Sequence, residues 1–144
     1  MPAKDTEQLE NELSAADDVK KFLTDNAENL REFTFAEYLK RIMAEKNFKQ
    51  RDVIDGSYVG SGYGPHIFSG RNIPSREKVL MIALAMKLSP DEANYLLYYA
   101  GHENLYARNP WDAIIRFALE KQKTVEETNE LLRDSNMKLL PIRD

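Results

Sequence analysis

The chain has 144 residues, 42% of them hydrophobic, no cysteine and a formal net charge of −4. That length sets one compact domain or a small domain with an appendage, and that apolar content suffices for a core. The missing cysteines exclude a disulfide framework, thiolate zinc sites and cysteine nucleophiles.

The charge is unevenly spread. Residues 1–33 hold four basic and nine acidic side chains, residues 34–100 nine and seven, and residues 101–144 seven and eight. The middle is mildly basic and the start acidic, which bears on partners rather than on fold. No apolar run approaches the ~20 residues of a membrane span, and MPAKDTEQLENEL has no apolar signal core. A cytoplasmic protein is expected, with no membrane partner.

In chain order, residues 1–33 read as an acidic helical extension. Leu9, Leu13, Val19, Phe22 and Leu23 supply an apolar stripe expected to pack on the core. Thr34 to Glu37 is a capping-box pattern, and behind it Phe35, Leu39, Ile42 and Met43 share a helical face. Ser89-Pro90-Asp91-Glu92 gives a cap, a proline for the first turn and early acids that suit the helix dipole, with Gly101 as a stop. Asn109-Pro110 opens a further helix, and Thr124 to Glu127 caps another. No useful stretch alternates with period two, so the fold class is all-α.

Residues 75–101 and 110–136 match at an offset of 35. Ala83 and Leu84 align with Ala118 and Leu119, Asn94 with Asn129, Ser89 with Thr124 and Gly101 with Asn136. One helical hairpin is written twice, either as a true duplication or because similar hairpins need similar caps. Two copies fall short of a solenoid.

The stretch YVGSGYGPHIFSGRNIPSR, residues 58–76, is poor helix material, with four of the six glycines and Pro65. Proline lacks an amide hydrogen and fits a first helical turn. A short helix starting near Gly64 or Pro65, preceded by a glycine loop, is therefore expected. GSGYG has its third glycine misplaced and no strand before it, so it is not a dinucleotide fingerprint. His66 and His102 lack metal-ligand spacing, and no hydroxyl has a marked base beside it. No enzyme activity, metal or cofactor is expected.

FAEYLKRIMAEKNFKQRDVI and YGPHIFSGRNIPSREKVLMIALAMKLSPDEA, spanning 34–100, resemble the phage lambda-repressor/Cro-like (XRE-type) helix-turn-helix family. The resemblance rests on a glutamine, Gln50, opening the second helix, on Ser69-Gly70 after the third, and on Asn72-Ile73-Pro74-Ser75 leading into the fourth. YARNPWDAIIRFAL and VEETNELL look like a bacterial subgroup with extra helices at both ends. The resemblance implies a five-helix core over 34–100, an N-terminal extension over 1–33 and a C-terminal helical hairpin over 101–144 packed on the core. It also implies a DNA-binding transcriptional regulator that takes double-stranded DNA as a homodimer. The third helix would lie in the major groove. Lys49, Gln50, Arg51, Arg71, Arg76 and Lys78 would meet the DNA backbone, and Ser61, Gly62, Tyr63 and His66 would face base edges.

This chain departs from the family pattern at four places. Tyr58 stands where glycine is common, Ile54 where alanine is, Ser57 where leucine is, and Gly64 fills an apolar core position. The reading face holds no arginine or lysine, although strong base readout uses bidentate side chains. A rival reading follows: a protein-interaction module on a degenerate helix-turn-helix scaffold. Tyr98, Tyr99, Tyr106 and Trp111 in the C-terminal region are its candidate interface, and packing of the joint between the two hairpins is the alternative.

Overall fold

The computed structural model describes residues 6–26, 33–60 and 62–142. Among them it forms nine helices and no strand. The chain divides into two compact units, 1–33 and 34–144.

The first unit holds α1 (Thr6–Ala15) and α2 (Val19–Asp25). Asp18 caps α2 by accepting the Lys20 N–H at 2.9 Å. Its expected apolar stripe is not covered along its length: Leu13, Val19 and Leu23 are exposed.

The second unit contains α3 (Phe35–Lys46), α4 (Gln50–Ser57), α5 (Gly64–Phe68), α6 (Arg76–Ala85), α7 (Pro90–Tyr99), α8 (Pro110–Glu120) and α9 (Val125–Asp134). The capping boxes at Thr34/Glu37, Ser89/Glu92 and Thr124/Glu127 all close, each with both reciprocal hydrogen bonds. Each satisfies amide groups that the first helical turn leaves without partners. Helix α6 is the axis of the unit. Its Val79, Leu80, Met81, Ile82, Ala83 and Leu84 are all buried, and it packs on α4, α7, α8 and α9. A helix that is apolar all round can be stable in water only when surrounded in this way. Helix α3 completes the second unit by packing on α5 and α7, with a Lys46–Glu92 ion pair of 2.9 Å tying it to the latter.

The offset of 35 is a true structural repeat. Lys87 and Gln122 take left-handed φ values of 56° and 54° at the turn inside each hairpin. The next amide closes each turn, Leu88 on the Ala83 carbonyl and Lys123 on that of Ala118. Gly101 and Asn136 are left-handed at the two exits. The following amides, of His102 and Met137, bond the carbonyls of Leu97 and Leu132. This is the Schellman pattern. The likeness continues beyond the hairpins. Asn94 Oδ1 accepts the Leu105 N–H at 2.8 Å, and Asn129 Oδ1 accepts the Leu140 N–H at 2.7 Å. Leu105 and Leu140 are both buried. Arg76 Nε donates to the Glu103 carbonyl, and Trp111 Nε1 to that of Lys138. Every one of these pairs is 35 residues apart.

Arg76 joins the two copies. Its guanidinium makes a bidentate pair with Asp112, at 2.9 Å on each side, and donates to the carbonyls of Glu103 and Asn104. Four of its five N–H groups are therefore spent inside the fold. Asp112 is buried and also accepts the Tyr106 N–H at 2.9 Å. Burial alone would push its carboxyl up. The Arg76 hydrogen bonds, the Tyr106 amide and the Arg76 charge outweigh it and hold the group below the usual carboxylate range.

A carboxyl depressed by folding contributes stability above its unfolded pKa of ~3.9 and loses it as pH falls through the folded value. Asp112→Asn should therefore lower stability near neutral pH by about 2–3 kcal/mol. That is somewhat less than for a fully buried pair, because Arg76 stays partly exposed. Urea melts across pH should show wild type and variant converging below about pH 4; curves that stay parallel would refute the assignment.

Candidate nucleic-acid interface

Helices α4 and α5 with their flanking loops carry most of the residues expected to meet DNA. Helix α4 starts at Gln50 with Lys49 as its N-cap, and Lys49, Gln50 and Arg51 are exposed there. It ends at Tyr58, whose φ of 59° is left-handed. Glycine takes that conformation without penalty. Here the Tyr58 hydroxyl donates to the Glu126 carboxylate on α9. That bond keeps the proton on the phenol and raises its pKa. The side chain therefore anchors the α4–α5 turn to the C-terminal hairpin, a task a glycine could not perform. Ser57 is buried and donates its hydroxyl to the Ile54 carbonyl at 3.3 Å.

The glycine loop and the short helix appear where the sequence places them. Helix α5 is five residues long with Pro65 in its first turn, and Gly60, at φ 90°, leads in from a turn. Gly64 is buried against Ile54. A Cβ on Gly64 would lie 2.8 Å, 2.9 Å and 3.0 Å from three carbons of the Ile54 side chain. Ile54 and Gly64 are thus complementary, the large side chain on α4 filling the space that the glycine on α5 leaves. Ile67 and Phe68 are buried and anchor α5.

Around α5 the structure gathers four of the expected residues. Lys78, near the start of α6, lies over the Tyr63 ring at 4.1 Å from its centroid, a cation–π contact. Arg71 Nη1 lies 3.3 Å from His66 Nδ1. Gly62 is exposed beside them, and Ser61 lies outside the described residues. Arg76 is placed otherwise than expected. Its charge is neutralised by Asp112 and its donors face carbonyls, so it holds the fold together and is not free for a phosphate.

The interface candidates also separate. Tyr99 stacks on Tyr38 at 4.6 Å between centroids, and Trp111 gives its indole N–H to Lys138; both have internal work. Tyr98 and Tyr106 are 61% and 51% exposed. Sequence reasoning had a signal for Arg76 and did not use it. The offset of 35 aligns it with Trp111, and both donate to a carbonyl in the segment after their hairpin. The partnership of Tyr58 with Glu126 spans 68 residues and left no local trace. Among the described residues no group of three or more His, Asp or Glu could hold a metal, and no helix is long and apolar enough to cross a membrane.

The Ile54–Gly64 fit makes a signed expectation. Gly→Ala inside a helix is ordinarily worth ~1 kcal/mol of stabilisation. Gly64→Ala should instead destabilise by about 1–3 kcal/mol, because the added methyl overpacks against Ile54. In an Ile54→Ala background the same change should become neutral or stabilising. Denaturant unfolding of the four proteins of the cycle gives the coupling; additive effects would refute the fit.

Comparisons of the chain with family models, with curated proteins and with solved structures find no match.

Proposed function

We propose that the chain is a non-enzymatic DNA-binding transcriptional regulator whose residues 34–100 form a lambda-repressor-like helix-turn-helix core. The observation that carries the reading is the run from α3 to α7. Two short consecutive helices, α4 and α5, are braced by α3 on one and α6 on the other. Gln50 opens the first of them, and Tyr63, His66, Arg71 and Lys78 cluster at the second. On this reading α5 enters the major groove while α4 crosses the backbone. The phosphate contacts fall to Lys49, Arg51, Arg71 and Lys78, without Arg76. So few cations give modest affinity for a single copy, so the regulator works as a homodimer on duplex DNA, where two copies add their contacts.

Electrophoretic shifts with fragments of the encoding genome test the reading. Binding should fall steeply with salt, and Lys49→Ala or Arg51→Ala should each reduce the slope of log K against log salt by about one. A folded sample that binds no duplex even at low ionic strength would sink it.

The exposed rings of Tyr98 and Tyr106 support a second reading, a protein-interaction module on the same scaffold, since aromatic side chains are enriched at interfaces. A partner recovered by pull-down and lost on Tyr98→Ser would favour it.

A further inference from the structure

His66 is held at both ends by the loop that follows α5. Its carbonyl accepts three donors: the Ser69 hydroxyl at 3.1 Å, the Arg71 N–H at 3.0 Å and the Asn72 N–H at 3.2 Å. The same loop brings the Arg71 guanidinium to 3.3 Å from the ring Nδ1. A guanidinium can only donate. In this contact Nδ1 accepts with its lone pair, which places the ring hydrogen on Nε2. Arg71 thus fixes the tautomer of a residue on α5, and only a donor remains on the far side of the ring.

We infer that His66 is a specificity-determining residue that donates Nε2–H to a purine N7 in the major groove, with Arg71 as the positioning residue that holds it in that tautomer. This rests on the DNA-binding reading above and deepens it. In the major groove both purines present N7 as an acceptor, whereas cytosine presents an N4 donor. A donor-only ring aimed at the N7 position therefore favours a purine at one base pair, because cytosine offers a donor and thymine, although its O4 accepts, puts its C5 methyl where N7 would be. Freed from Arg71, the ring could exchange tautomers and accept a hydrogen as well as give one, and the discrimination would blur. Arg71 consequently differs from a plain phosphate contact, whose loss weakens all sequences alike.

Selection from a randomised duplex pool compares wild type, His66→Ala, Arg71→Ala and Arg51→Ala. Wild type should show a purine at one position of its site. His66→Ala and Arg71→Ala should both relax that same position, while Arg51→Ala should weaken binding evenly. Replacing the selected purine by its 7-deaza analogue should cost wild type roughly three- to tenfold in affinity, the size of one net hydrogen bond, and cost His66→Ala nothing. Independently of DNA, long-range nitrogen–proton NMR on the free protein should show the Nε2–H tautomer of His66 in wild type. In Arg71→Ala its population should fall toward that of free imidazole. A wild-type ring protonated on Nδ1, an Arg71→Ala profile parallel to that of Arg51→Ala, indifference to 7-deaza purine, or a preference for cytosine or thymine there would each overturn the inference. If the NMR result holds and wild type binds no duplex, the fixed tautomer stands as a structural fact. The DNA-binding reading then fails and takes the base contact with it.

Discussion

The Arg76 guanidinium is the point on which the second unit closes. One side chain from the start of α6 reaches the carboxylate of α8 and two carbonyls of the α7–α8 loop. His102 reinforces it by donating Nε2–H to the Pro74 carbonyl at 2.8 Å. The loop is therefore fastened across the segment that leads into α6, immediately after Arg71. A buried carboxylate such as Asp112 is tolerable only with its charge matched and its lone pairs filled. Arg76 and the Tyr106 amide do both. The same contacts fix where α6 begins, and hence where Lys78 meets Tyr63.

The repeat extends to the charged residues of the joint. Glu77 of the first copy stands 35 residues before Asp112 of the second, and both acids take a basic partner from the other copy. Asp112 holds Arg76, and Glu77 holds Lys138 at 3.2 Å. The two exchanges are chemically alike and energetically unequal. Asp112 is buried and bidentate, whereas Lys138 is largely exposed, and exposed pairs contribute ~0–1 kcal/mol. Where the first copy uses an arginine to reach its following segment, the second uses the Trp111 indole. The C-terminal segment is also held by Asn129, whose amide bonds both the N–H and the carbonyl of Leu140.

What the sequence disclosed was the local chemistry. Capping boxes, first-turn prolines and left-handed stops act within a few residues, and so Thr34, Ser89, Thr124, Pro90 and Gly101 could be read directly. The repeat was legible too, because caps and buried leucines recur at a fixed offset. The residues expected to meet DNA were less so. Arg76 and Arg71 look alike in sequence. One has a carboxylate 36 residues away and the other a histidine five residues back, and composition does not distinguish the two. Tyr58 and Gly64 read as departures that weaken a helix-turn-helix pattern, because each was weighed alone. Their partners, Glu126 and Ile54, lie on other helices, and the compensation exists only in the packed fold.

That compensation bears on whether a glycine-laden segment can present a reading element at all. A five-residue helix has little stability of its own, since nucleation fixes several residues for few hydrogen bonds. It must be held from outside. Ile67 and Phe68 hold it from beneath, Ile54 fills the notch at Gly64, and the loop after it closes on the His66 carbonyl. The Gly64 amide donates to the Gly60 carbonyl at 2.8 Å, so the glycine loop is closed on the helix it precedes. The segment is therefore fixed by the packing around it. Such a segment keeps its exposed polar groups in fixed positions, which is the physical requirement for recognising any structured partner.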